Sequence, residues 1–317
     1  MTVNKVRRLL VAALMAGPPL AVAADPVIKL VTSRTNGPHH PLALALVKLM
    51  SKAGPALKAS AQATKDPVES LALLETGRAD IAFALGDSLS AAWQGNESAG
   101  FNSPLRHLRG IASLYPNYIQ IVARTDSGVR SLRDLKGKRV SVGAPRSVAE
   151  QDARTILSAA GIAYRDFGKL EYLPFGESVE LIKDRRLDAT LQSTTMGGLA
   201  LRDLATSVDM VIVPVPLEVL RRINDPAFLK ATIPANTYRG QAHDVPTAAV
   251  MTVLVTREAV SEETVYATIR ALSNGLDELR AAHPAAAGID PKNLTLGMVV
   301  PLHPGAERYY RDIGLLK

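Results

Sequence analysis

The chain has 317 residues, 47% of them hydrophobic and 21% charged, enough to bury a sizeable core in one to three domains. Aromatic residues make up only 4% and cysteine is absent, so the core must come from Ala, Val, Leu and Ile. Disulfides, thiolate zinc sites and cysteine nucleophiles are excluded. The formal charge of +7 comes with no basic tract and no interleaved aromatics, which argues against nucleic acid as a partner.

In chain order, residues 1–23 read as a cleavable secretory signal. Lys5, Arg7 and Arg8 precede a short apolar run, Gly17, Pro18 and Pro19 break it, and Ala21-Val22-Ala23 suits cleavage. The run is too short to span a bilayer, and no later run is long enough. Losing this segment removes three cations and no anion, taking +7 to +4. The expected location is the periplasm.

Residues 27–31 predict a strand, 42–50 a helix, 58–63 a strand, 67–76 a helix that Gly77 ends, and 81–85 an apolar strand. The alternation restarts with strands at 118–123 and 139–143, a helix at 149–160 closed by Gly161, and a strand at 170–173. A helix at 178–185 and strands at 189–192 and 211–213 follow. After an irregular stretch, 248–256 predicts a strong strand and 261–281 one long helix with Ser261 as its N-cap. Two βαβαβ blocks predict two α/β domains with mainly parallel sheets, joined by short strands and leaving a cleft. Ligands of open α/β sheets bind beyond the carboxyl ends of the strands, so the loops that follow strands are the candidate sites.

The sequence has no P-loop and no GxGxxG, HExxH, GxSxG or SxxK pattern, so no catalytic residue is assigned and no cofactor is expected. VTSRTNGPHHP (31–41) supplies short polar donors at Thr32, Ser33, Thr35 and Asn36 and a charge at Arg34. Gly37 permits a turn, and Pro41 suits the first helical position. Adjacent His39 and His40 rarely chelate one ion, so capping or packing outweighs a metal site there. VGAPRSVAEQD (142–152) leaves a strand and enters a helix. The unpaired N–H groups of that helix, the Ser147 hydroxyl and the Arg146 guanidinium would suit a carboxylate or phosphate, and a capped turn is the plainer alternative. In TKDP (64–67), Asp66 reads as a cap, while Thr64 and Lys65 can reach the cleft. STTMGG (193–198) offers Thr194, Thr195 and Met196.

DLKGKRVSVG (134–143) resembles a bilobed type II periplasmic binding protein. SLYPNYIQIVAR (113–124), AEQDARTIL (149–157), TIPANTYRGQ (232–241), DVPTAAV (244–250) and PLHPGAERYYR (301–311) resemble the TAXI family, the solute-binding proteins of tripartite ATP-independent periplasmic (TRAP) transporters. The resemblance implies two α/β lobes, residues 24–115 with 257–317 and residues 116–256, closing on a ligand that is then delivered to an ion-gradient-driven membrane permease. It implies binding segments at Ser33, Arg34, Thr35, Asn36, His39 and His40, at Thr64 and Lys65, around Asp87, at Arg146, Ser147 and Val148, and at Thr194, Thr195 and Met196. The PLHPGAERYYR segment is expected to dock on the first lobe near the hinge.

This chain departs from the family in those ligand loops. Ser-Arg-Thr-Asn replaces a glycine-rich run, His39-His40 an aromatic pair, Pro145-Arg146-Ser147 a Gly-Ser-Gly, and Lys65-Asp66 a Gly-Gly. The added cations suit a small organic anion, above all a dicarboxylate. An α-amino group would have only Asp87 to hold it, which disfavours a glutamate-like ligand. The competing functions are a ligand sensor for a signalling receptor and a periplasmic enzyme.

Overall fold

The computed structural model describes residues 27–33, 37–145 and 147–317, so the segment expected to be a signal, residues 1–23, together with Arg34, Thr35, Asn36 and Arg146, lies outside the described residues. In chain order the first elements are β1 (Ile28–Ser33), α1 (His39–Ala53), β2 (Ala59–Thr64), α2 (Pro67–Glu75), β3 (Ile81–Leu85) and α3 (Gly86–Gln94). β4 (Leu108–Arg124), β5 (Arg139–Ser141), α4 (Val148–Ala159), β6 (Lys169–Glu171), α5 (Phe175–Lys183), β7 (Ala189–Thr194) and α6 (Leu199–Ser207) follow. The chain ends with β8 (Met210–Val213), α7 (Leu217–Ile223), β9 (Phe228–Ile233), β10 (Val245–Arg257), α8 (Glu262–Asn274), α9 (Leu276–Ala282) and α10 (Pro304–Asp312).

β1 pairs in parallel with β2 and β3, and β5 with β6 and β7, as the βαβ pattern requires. The expected short connecting strands are instead two long ones, β4 with 17 residues and β10 with 13. The two are antiparallel to each other and run through both lobes. β10 pairs with β9 through its first half and with β3 through its second. β4 reaches β7 and β8 through its last residues. The sheet order is therefore β2-β1-β3-β10-β4-β7-β5-β6, a mixed sheet twisted into two lobes.

Each lobe buries apolar side chains on both faces of its sheet. In the first lobe, Leu42, Leu46 and Met50 of α1 meet Ile269 and Leu272 of α8 and Tyr310 of α10 on one face. Leu71, Leu74 and Leu89 fill the other. In the second lobe, Ile156 and Leu157 of α4 lie on one face and Val179, Ile182, Leu201 and Leu204 on the other. The all-apolar β3 run is buried along its whole length, whereas the edge strand β2 alternates.

Several expectations change. α1 starts at His39, which puts Pro41 third in the helix rather than first; the ring is still tolerated because first-turn N–H groups lack helical partners. Residues 86–90 are the start of α3 and not a loop. The irregular stretch contains α7 and β9, and α6 lies ahead of it, between β7 and β8. The predicted helix over 261–281 is two helices, broken at Gly275, where a Cβ would sit 2.4 Å from Leu49 of α1. The Asp66 and Ser261 caps form as predicted, accepting from Glu69 N–H at 2.8 Å and Thr264 N–H at 3.2 Å.

The PLHPGAERYYR segment docks on the first lobe. His303 caps α10, and the buried Tyr310 hydroxyl donates to Ile111 O of β4 at 2.6 Å. Gly305 lies so close to α8 that a Cβ would fall 2.3 Å from Glu262 O. Gly305→Ala is therefore expected to cost about 1–3 kcal/mol, read as a lower urea midpoint at unchanged slope. An unchanged midpoint would show that the α8–α10 contact yields freely.

Candidate ligand cleft between the lobes

The carboxyl ends of β1, β2 and β3 in the first lobe and of β5 and β7 in the second point into one cleft. Within it a cavity of about 180 Å³ is lined by Ser33, Gly37, Pro38, His39, Pro67, Leu85, Asn117, Val148 and Ser193. Four helices begin on this lining: α1 at His39, α2 at Pro67, α3 just after Leu85, and α4 at Val148. Each helix N-terminus carries unpaired N–H groups and partial positive charge, so the walls of the cavity favour a negative ligand group.

Local sequence sets each wall. Gly143, at φ +100°, turns the chain from β5 toward α4, and any Cβ there would meet Ala149 at 2.9 Å. Ser147 then caps α4, accepting from Glu150 N–H at 3.2 Å, and Val148 faces the cavity. His39 lies 5.7 Å from the Phe83 ring, and burial lowers its pKa to about 4, so it enters the cleft as a neutral donor–acceptor. Asn117 Nδ2 donates to Thr252 Oγ1 at 3.2 Å, which ties β4 to β10 at the centre of the cleft.

Of the residues expected at the site, Ser33, His39 and Val148 are gathered on the cavity. His40 Nδ1 is 3.3 Å from Thr32 Oγ1, beside it. Thr64 is buried and committed to Ser70 Oγ at 2.6 Å, Asp66 O and Thr32 O. Lys65 is exposed, and its N–H donates to Glu69 at 2.8 Å. Thr194 and Thr195 offer their carbonyls to Gln120 Nε2 at 3.3 Å, and Met196 lies 4.0 Å from the Thr237 hydroxyl. None of Thr64, Lys65, Thr194, Thr195 and Met196 is in the lining. Asp87 is buried nearby against Asp152. Arg34, Thr35, Asn36 and Arg146 lie outside the described residues, in the two segments that flank Ser33 and Ser147.

Asn117 and Asp152 escaped the sequence reading because they lie inside a strand and a helix rather than in loops. The available signal was a polar residue at a buried position: Asn117 is 8% exposed and Asp152 1%. The TIPANTYRG segment also gains a role. The Tyr238 hydroxyl donates to Gln120 and accepts from Gly197 N–H at 3.0 Å, bracing the 193–198 loop from the second lobe. Among the described residues, no three His, Asp or Glu side chains converge to hold a metal, and no helix is long and apolar enough to cross a membrane.

Residues 30–314 match the model of the NMT1-like family. XAC2383 from Xanthomonas citri, bound to ATP, is similar with a TM-score of 0.54 at 14% identity, over 91% of this chain and 96% of that one. PhnD1 from Prochlorococcus marinus, in complex with methylphosphonate, gives 0.53 at 13% identity over 92% and 99%. CAE31940 from Bordetella bronchiseptica RB50 gives 0.50 at 13% over 90% and 98%. At these identities the likeness is one of fold: two α/β lobes of the periplasmic-binding-protein type, as the sequence predicts.

Proposed function

From the chain's place in the NMT1-like family, we propose that it is a solute-binding protein that captures a small organic anion, with a C4–C6 dicarboxylate as the favoured class. The convergence of four helix N-termini on one inter-lobe cavity carries this reading. Two proteins of the same fold bind ATP and methylphosphonate, both anions, which is in keeping with it. Arg34 and Arg146 would supply bidentate donors from the adjoining segments, with Thr35, Asn36 and Ser147 adding neutral ones. His39 would contribute a neutral hydrogen bond where the TAXI family carries an aromatic pair. Asp87 does not line the cavity, which leaves an α-amino group without a counter-ion there among the described residues.

In this reading residues 24–115 with 257–317 form the first lobe and 116–256 the second, and β4 and β10 flex between them. The protein works in the periplasm after cleavage of residues 1–23 and hands its ligand, unchanged by chemistry, to the permease of a TAXI-type TRAP transporter. A ligand that binds only the folded state raises its stability, by about 2.7 kcal/mol at a hundredfold excess over Kd. Succinate, glutarate or adipate should therefore raise the melting temperature and contract the radius seen by solution scattering, while neutral sugars do neither. A broad carboxylate panel without any melting shift would sink the anion assignment.

A further inference from the structure

Asp87 belongs to the first turn of α3 in the first lobe, and Asp152 to α4 in the second. Their carboxyl groups meet across the cleft within hydrogen-bonding reach. Both are buried, at 9% and 1% exposure. Asp87 Oδ1 and both Asp152 oxygens make no well-aligned hydrogen bond, and the Ser193 hydroxyl beside Asp152 offers it a neutral donor that offsets part of the cost of burial. A carboxylate accepts but cannot donate, so two ionised groups here would repel each other in a poorly solvated contact. With one proton between them, the same contact becomes a hydrogen bond to a charged acceptor.

We propose that Asp87 and Asp152 form an inter-lobe latch, a carboxyl–carboxylate pair that holds the cleft closed while it shares a proton and lets it open when that proton leaves.

The surroundings leave the pair without charge compensation among the described residues. From the α7–β9 connection, Asp225 adds a further negative charge near Asp87, while its own oxygen accepts from Ser90 Oγ at 3.0 Å and Ala227 N–H at 2.9 Å. On α4, Glu150 takes Arg154 at 2.5 Å and the Tyr164 hydroxyl at 3.0 Å, so that guanidinium is engaged one turn away. On α3, Ser88 N–H hydrogen-bonds to the Asp87 carboxyl and offsets part of the cost of burial. His39 on α1 is neutral.

Burial raises the Asp87 pKa to about 6, and burial together with the Asp87 charge raises that of Asp152 well above the usual carboxylate value. In the open form both groups meet water and return toward about 4. The closed form then binds more protons than the open one above about pH 4, so closure is favoured in acid and weakens as the pH rises through 6 and beyond. Each linked proton changes the closed-to-open ratio by up to about tenfold per pH unit. The inference rests on the two-lobed architecture and holds whatever the ligand is.

The chain has no cysteine, so Ala53→Cys in the first lobe and Ser158→Cys in the second accept one spin label each. Electron–electron distances measured on the ligand-free, doubly labelled protein at pH 5 and pH 8.5 test the latch. The short, closed distance should dominate at pH 5 and lose at least about tenfold against the longer one by pH 8.5. In the double variant Asp87→Asn/Asp152→Asn neither carboxyl is left to titrate, and the ratio should stay within about twofold across the same range. A distance distribution that ignores pH, or a pH response that survives in the folded double variant, overturns the proposal. Neither outcome bears on whether an anion binds, which the melting panel decides separately.

Discussion

Val148→Asp is expected to abolish the melting shift that dicarboxylates give the parent protein. Val148 is the first residue of α4 and lines the cavity, so an aspartate there sets a fixed carboxylate where the ligand's own would lie. At about 4 Å and partial solvation, two like charges repel by about 4 kcal/mol, roughly a thousandfold in affinity. The same carboxylate faces the positive end of α4 and should stabilise the ligand-free protein by about 0.3–1 kcal/mol. Val148→Asn, similar in size and uncharged, should keep most of the shift. Glutarate titrations followed by thermal melting separate these effects. A full shift in the aspartate variant would show that the ligand's charge lies elsewhere.

Asp188→Ala should produce the largest loss of stability in the second lobe. Asp188 accepts from Arg139 N–H at 2.9 Å, Nε at 3.0 Å and Nη2 at 2.6 Å, and lies 3.5 Å from Arg124 Nη2. Arg124 is only 8% exposed, so removal of the carboxylate leaves a buried guanidinium with Asp126 and Leu187 O alone. Breaking a buried pair in this way costs about 3 kcal/mol. The hydrogen bonds from Arg139, followed by its charge and that of Arg124, hold the Asp188 pKa below the usual carboxylate value. Stability from this group is present above about pH 4 and is lost as the pH falls toward the lowered value. Urea unfolding should show that acid-side loss in the parent and not in the variant. A variant that unfolds at the parent's midpoint would mean that Arg124 is satisfied without Asp188.

Strong local signals were legible in the sequence. The uniform IAFAL run gave β3 to the residue, and the Asp66-Pro67 and Ser261 caps placed the starts of α2 and α8. Tertiary features were not. The first half of β4 reads as mixed polar and apolar residues because its neighbours change along its length, from the second half of β10 to β7 and β8. The long C-terminal helix was overextended because Gly275 alone is a weak stop; the break follows from the approach of Leu49, over two hundred residues away. At the candidate cavity, the rule that ligand groups follow strands pointed to Ser33, His39 and Val148, which line it. It missed Asp152 and Asn117, whose importance comes from facing the other lobe or the cleft centre.

α8 and α10 complete the core that α1 begins, so both ends of the chain build one lobe. Leu42, Leu46 and Met50 lack their α8 cover until residues near 270 have emerged, and Tyr310 of α10 joins that core last. Such long sequence separations slow folding, because the closure entropy of a long loop is paid before its contacts form. In a nascent chain this core of the first lobe is therefore incomplete until synthesis is nearly finished. Under the export to the periplasm proposed above, that delay would be an asset, because a chain whose first lobe is still open can be threaded through a membrane.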